Sequence, residues 1–259
     1  MLRALTTAAS GMEAQQTKLD VTANNIANVS TAGFKKSRAE FADLMYQTMR
    51  PAGGPEGPGG PSALEVGLGV RVATTQRLLG QGEMRTTGNP LDVAIEGAGY
   101  FPVTLPSGDT AYTRNGAFQL DATGRMVTAD GYPVGGEITI PTEATSVSIG
   151  NDGRITARIP GDPEPVEVGQ LQITTFANPA GLEPMGRTLF RPSASSGEAV
   201  TGNPAEGSAG SLSAGTLELS NVSVVEEMID LISGQRAYEV NTRVIKAADE
   251  MLGQTAQLR

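Results

Sequence analysis

Both ends of the chain carry the residue spacing of a coiled-coil seam, which limits the possible folds more than any composition figure does. From Leu2 to Ile26, apolar or small side chains fall at Leu2, Leu5, Ala9, Met12, Leu19, Ala23 and Ile26, in steps of three and four that only Gln16 breaks. Toward the other end Val224, Leu231, Tyr238, Ile245 and Leu252 recur at every seventh residue, flanked by Met228, Val244, Ala248 and Met251. Ser223 with Glu226 three residues later reads as a capping box, and Glu226 and Glu227 suit the positive end of a helix dipole. A helix over 224–257 would be roughly 50 Å long at ~1.5 Å per residue.

Between the ends the texture changes. Over about 91–176, short apolar alternations such as Leu91, Val93 and Ile95, or Leu171 and Ile173, are separated by turn chemistry. Asn115-Gly116, Asp130-Gly131 and Asp152-Gly153 read as tight hairpin turns, because such turns need residues that tolerate positive φ. Seven of the eleven aromatic residues, Tyr100, Phe101, Tyr112, Phe118, Tyr132, Phe176 and Phe190, place the expected core here. Pro51–Ser62, with four Pro and five Gly, can be neither regular helix nor central strand. Residues 193–215 are mostly Ser, Gly and Ala and read as a second connection. The expected fold is α+β. N- and C-terminal helices form a coiled-coil-like domain (1–30 and 219–259), extended linkers follow (31–75 and 193–218), and a central all-β domain lies between them (76–192).

A β-domain with its own core leaves the two seams without a partner inside it. Two helices paired only with each other still expose much apolar stripe, which favours further association, so a self-assembling subunit is expected. What the chain lacks limits its chemistry. With no Cys and no His there is no disulfide, no thiolate or imidazole metal site, no Cys nucleophile and no His-based triad. The formal charge of −9, from 19 basic and 28 acidic side chains, argues against a nucleic-acid partner. No apolar run approaches a membrane span, and Met1–Gln16 lacks the apolar stretch of a cleavable secretory signal, so neither membrane insertion nor a cleaved leader is expected.

The short motifs point the same way. Gly67-Leu68-Gly69 and Gly97-Ala98-Gly99 lack the third glycine of a dinucleotide loop and read as hairpin or bulge glycines. Asp109, Asp121, Asp130 and Asp152 are expected at turns, where Asp bonds to nearby backbone. Glu226, Glu227, Asp230 and Glu239 are expected on a solvated helix face, and Gln235 and Thr242 as polar residues that fix register between neighbours. Hence no catalytic, cofactor-binding or metal-ligating residue is named, and no cofactor. Two rival readings are a carboxylate-based glycan hydrolase, which needs two acids converging on one cleft, and an isolated binding module, whose function would survive deletion of both helices.

Four stretches in chain order resemble the flagellar basal-body rod and hook family: ANNIANVSTAGFKKSRAEF at 23–41, NPLDVAIEGAGYF at 89–101, YTRNGAFQLDATGRMVTADGYPV at 112–134 and GTLELSNVSVVEEMIDLISGQRAYEVNTRVIKAADEML at 215–252. QRLLGQGEMRTTGNPLDVAIEG at 76–97 is most similar to the distal rod branch. The resemblance implies a structural subunit that polymerises into a hollow helical shaft, the distal rod, which transmits torque to the hook and passes exported subunits. The terminal helices would form its inner wall. The implied partners are the chain itself, proximal rod subunits, the hook protein and the surrounding P and L rings. The implied location is the basal body, in the rod crossing the periplasm, reached by type III export without a cleaved signal peptide. The alternative is another axial subunit of the family, proximal rod or hook. Hook proteins usually carry a further outer β-domain, for which 259 residues leave little room.

The residues expected to carry self-assembly are Leu2, Leu5, Met12, Leu19 and Ile26 on the first helix, with Val224, Met228, Leu231, Tyr238, Ile245 and Leu252 on the last. An aspartate at Leu231 or Ile245 would put an unpaired charge into a dry seam. Within the family motif, Asn24, Asn25 and Asn28 are expected to shape the exit from the first helix, since Asn bonds locally to backbone and tolerates αL. Gly33 is expected to serve the turn before Phe34.

Overall fold

The computed structural model describes residues 2–50, 63–135, 138–160, 164–207 and 209–257. The connection expected at Pro51–Ser62 lies outside the described residues. The fold is α+β, with a helix at each end and strands between them. It divides into two compact units, Met1–Ala27 with Ser37–Arg77 and Ser223–Arg259, and Asn28–Lys36 with Leu78–Val222.

The first unit contains α1 (Leu2–Ala27), β1 (Ser37–Asp43), β2 (Tyr46–Arg50), β3 (Leu64–Gly67), β4 (Val70–Arg77) and, from the far end of the chain, α2 (Val224–Gln257). Asn25 of α1 bonds Glu227 of α2, and Gly11 lies opposite Asn241. Both helices advance 14 residues between these points (25 − 11 and 241 − 227), in opposite directions, so they pack antiparallel and in register. On α2 the buried and half-buried positions Glu227, Leu231, Gly234, Ala237, Asn241, Ile245, Ala248 and Leu252 follow steps of three and four, with Thr242 half-buried beside them, as a helix packed along one stripe requires. Gly234 makes room for the Leu19 side chain of α1: a Cβ there would stand 2.9 Å from Leu19 Cδ2. The described parts of the stretch expected as linker, 31–75, are strands. β1 pairs antiparallel with β4, β2 pairs with β3, and α1 packs on β1 and β4. β1 gives little apolar signal because the residue that it buries is the small Ala39, and Val70 and Val72 of β4 are only half-buried.

The second unit follows with β5 (Met84–Thr86), β6 (Val93–Glu96), β7 (Phe101–Thr104), β8 (Thr110–Thr113), β9 (Phe118–Leu120), β10 (Met126–Thr128), β11 (Ser146–Ile149), β12 (Arg154–Arg158), β13 (Val166–Gln170) and β14 (Ile173–Thr175). It ends with β15 (Glu183–Gly186), β16 (Leu189–Arg191), β17 (Val200–Gly202), β18 (Ser211–Ala214) and β19 (Thr216–Glu218). One sheet has the order β15-β16-β8-β7, a second β11-β12-β13, and the remaining strands pair as β9–β10, β14–β17, β6–β18 and β5–β19. The core is built on Phe101 and Phe118, whose rings meet edge to face at 5.1 Å, with Ile95, Met126, Ile155, Leu171 and Ile173 around them. Tyr100, Tyr112, Phe176 and Phe190 form a second aromatic cluster with Leu182. Three strands, β17 to β19, occupy the Ser-, Gly- and Ala-rich stretch expected as the second linker. They pair with β14, β6 and β5, and Leu212 of β18 and Leu217 of β19 are the large apolar side chains that this stretch buries. Asp152-Gly153 turns between β11 and β12, and Asp130-Gly131 sits in a tight turn closed by Thr128 N–H on Tyr132 O. Asn115-Gly116 is not a hairpin turn, because the strands on either side, β8 and β9, pair with other strands. Asn115 Oδ1 instead accepts from Ala117 N–H, a side-chain turn.

Candidate functional site

The helix pair places the expected assembly residues on two different sides. Leu5, Met12, Leu19 and Ile26 are half-buried, as are Leu231, Ile245 and Leu252 on the row of α2 turned to α1. The side chain of Leu2 lies outside the described residues. Val224, Met228 and Tyr238 are exposed, as are Ala9, Gln16 and Ala23 of the first seam. Thr242 Oγ1 reaches Met12 Sδ and the Tyr238 carbonyl, while Gln235 is exposed. At 3.6 residues per turn, Val225, Ile229 and Ile232 lie on the side of α2 opposite Gly234 and Ile245. They are 68%, 62% and 48% exposed, and Val240, Val244 and Met251 are exposed further along, on a flank of the helix rather than in line with these three. On β2 and β3, Tyr46, Met49, Leu64 and Val66 are exposed as well. Between α1, β3 and α2 lies a groove of about 540 Å³ lined by Ala4, Thr7, Val66 and Val244, with Arg3 and Asn241 supplying its polar groups. Large apolar side chains standing in water along one helix face mark a surface that something else covers.

The Asn residues of the motif work through their side chains. Among the described residues no Asn has positive φ. Asn24 and Asn25 are still helical, so the αL role does not apply to them. Asn25 is 2% exposed. Its Nδ2 donates to Ser37 O at 2.9 Å and to Glu227 Oε2 at 3.0 Å, and its Oδ1 accepts from Ser37 N–H at 3.0 Å. One amide thus ties α1 to both β1 and α2. Glu227, expected on a solvated face, is 5% exposed for this reason. After α1, Asn28 O accepts from Thr31 N–H at 3.1 Å and Asn28 Oδ1 from Thr31 Oγ1 at 3.2 Å, which closes the exit turn. Gly33 follows at φ +71°, where a Cβ would stand 2.7 Å from backbone atoms of Arg114 and Asn115. Gly33→Ala is therefore expected to destabilise the second unit by about 2 kcal/mol or more, since strain and clash add. A thermal melt measures it, and an unchanged midpoint would refute the strain.

Sequence reading missed the charges beneath this turn. Lys35, Glu218 and Arg114 are all buried in the second unit. Lys35 Nζ donates to the Glu218 carboxylate and to Gly80 O, and Arg114 Nε donates to Glu218 Oε2 at 2.6 Å. The remaining Arg114 donors hold the carbonyls of Ile95, Gly97 and Gly99, and Gly82 N–H adds a third bond to the carboxylate at 2.9 Å. Burial by itself pushes the Glu218 carboxyl up. The Arg114 charge and the bonds from Arg114, Lys35 and Gly82 outweigh it and hold the group below the usual carboxylate range. For Lys35 burial dominates, and its ammonium is held below the usual lysine range despite Glu218. The one available signal was Glu218 sitting between Leu217 and Leu219 in a strand-like stretch. At the surface, Asp121 behaves as expected of a turn Asp: bonds from Thr123 and Arg125 lower its pKa.

A second groove of about 540 Å³ in the β unit is lined by Asp109, Tyr112 and Arg191. It presents a single carboxylate, short of the two acids that a glycan hydrolase needs. Among the described residues no helix is long and apolar enough to cross a membrane, which leaves strand-built crossings unaddressed.

Comparison with known proteins adds to this geometry. Residues 5–35 match the family described as flagella basal body rod protein, 94–157 match the flagellar hook protein FlgE/F/G D1 domain, and 213–258 match the flagellar basal body rod FlgEFG protein C-terminal. A flagellar basal-body rod protein FlgG of Borreliella burgdorferi is 48% identical over 257 residues, covering 98% of this chain and 97% of that protein. A flagellar basal-body rod protein FlgG of Caulobacter vibrioides is 48% identical over 261 residues, with all of both chains covered. A flagellar hook protein FlgE of Helicobacter mustelae is also 48% identical, but over 139 residues, 52% of this chain and 31% of that protein.

Proposed function

Because the chain belongs to the flagellar basal-body rod protein family and is a structural subunit of the flagellar basal body, we propose that it polymerises into the hollow helical shaft of the distal rod. The observation that carries this reading is the double-sided α2. One row is buried against α1, and on the opposite side Val225, Ile229 and Ile232, in the first turns of the helix, are apolar and exposed. A folded subunit gains by covering that side, and a second copy can supply the cover. Contacts between unlike surfaces that do not close into a ring build a helix, so one subunit shape sets the shaft. In this reading the terminal helices, 1–30 and 219–259, line the bore as a coiled-coil-like layer.

The shaft transmits torque to the hook and passes exported subunits through its bore. Its neighbours are proximal rod subunits, the hook protein and the P and L rings. It crosses the periplasm and arrives by export without a cleaved signal peptide. The rod assignment within the family rests on alignment to rod proteins over their full length, where the hook protein aligns over about half of this chain. Electron microscopy of purified protein at rising concentration tests the reading: tubes or helical filaments are expected, and a monomer at every concentration would overturn it.

A further inference from the structure

The chain passes between its two units four times, at 27/28, 36/37, 77/78 and 222/223. On the second unit's side these passages belong to three segments, 28–36, 78–83 and 218–222, which are bonded to one another. Gly33 N–H donates to Glu218 O at 2.9 Å, and Lys35 Nζ donates to the Glu218 carboxylate. Lys36 N–H donates to Asn221 Oδ1 at 2.8 Å, while Asn221 Nδ2 donates to Leu78 O at 2.8 Å and Gly80 O at 3.1 Å. Leu78 N–H returns to Lys36 O at 2.9 Å, and Leu219 N–H donates to Glu83 O at 2.8 Å. Asn221 thus grips the other two segments with one amide. Glu218 does the same with one carboxylate and is bonded through Arg114 to the Ile95–Gly99 turn.

We propose that this junction is a clamp that locks the four passages into one rigid root in the free subunit, before the helices pair and independently of them. Every bond of the clamp is internal to the β unit, whereas long helices draw most of their stability from packing. Gathering the passages beforehand removes part of the loop-closure entropy that pairing α1 with α2 otherwise has to overcome.

Amide hydrogen exchange on the full chain, kept below the concentration of assembly, tests the clamp without needing polymers, so its outcome is separate from that of the rod reading. The amides of Gly33, Lys36, Leu78, Gly82 and Leu219 are expected to exchange as slowly as the core amides of Tyr100 and Leu171. Leu231→Asp is expected to speed exchange in α2 and leave those five unchanged. Asn221→Ala is expected to speed Lys36 and Leu78 at least tenfold with Tyr100 and Leu171 unchanged, and Asn221→Asp, which keeps the acceptor, to restore slow exchange at Lys36. Wild-type clamp amides as fast as those of α1, clamp amides that loosen together with α2 in Leu231→Asp, or no change in Asn221→Ala would each overturn the proposal.

Discussion

Replacing Ile229 and Ile232 with aspartate is expected to leave the free subunit folded and to abolish its assembly. Both side chains are exposed on the face of α2 turned away from α1, so in the free chain the carboxylates stay hydrated and the helix pair is untouched. In the polymer the same positions would carry unpaired charge into an apolar interface, at several kcal/mol per copy. At roughly 1.4 kcal/mol per factor of ten, even a 3 kcal/mol penalty raises the concentration needed for assembly more than 100-fold. Leu231→Asp makes the contrast. Leu231 lies on the row packed against α1, so this variant loses helix content first and assembly as a consequence. Circular dichroism with sedimentation separates the two. If the double aspartate variant assembled normally, the outer face of α2 would not be an interface.

Glu218→Gln is expected to be the most damaging single substitution in the β unit. Removing the carboxylate charge leaves Lys35 and Arg114 as two buried cations, and breaking a buried ion cluster this way costs about 3–5 kcal/mol. For a unit of this size that lowers the melting midpoint by roughly 10 °C. The pH dependence has a definite sign. A carboxyl held below its unfolded value contributes stability that is present above the unfolded pKa and lost as pH falls through the folded one. The gap between wild type and Glu218→Gln is therefore expected to be full at neutral pH and to narrow in acid below the usual carboxylate range. Arg154→Ala, which removes an exposed pair with Asp152, is the control and should shift the midpoint little. Equal midpoints for Glu218→Gln and wild type would mean that the cluster does not hold the junction.

How much of this could be read from the sequence depends on which residues carry each feature. The two helices and the β middle stand out because Leu231, Ile245 and Leu252 keep a heptad step and because seven aromatics gather between residues 100 and 190. The other half of the α2 row is Glu227, Gly234 and Asn241. It escapes an apolar pattern search because it packs through a buried hydrogen bond at Glu227, a glycine that receives the Leu19 side chain and a polar Asn241 against Gly11. Val225, Ile229 and Ile232, which form the exposed face, lie off the row of Leu231, Ile245 and Leu252 and pass for ordinary helix surface until that row is located against α1. Strands β1 to β4 and β17 to β19 are missed for a different reason. β1 buries only the small Ala39, β2 and β3 leave their large side chains exposed, and β18 and β19 carry single buried leucines, Leu212 and Leu217, among serine, glycine and alanine, so no apolar alternation marks them. The motif Asn residues were expected at the helix exit, and that is where they lie, but Asn25 acts by bridging three elements and not by a backbone conformation. Lys35, Arg114 and Glu218 lie far apart in the sequence, and only folding brings them into one cluster.

The central claim, that copies of the same chain cover the outer face of α2, has a direct test because the chain contains no cysteine of its own. In an Ile229→Cys variant the maleimide labelling rate can be measured in the free subunit and again in assembled material. The account predicts rapid labelling of the free subunit and at least tenfold slower labelling once assembled. Labelling at the same rate in both would contradict it.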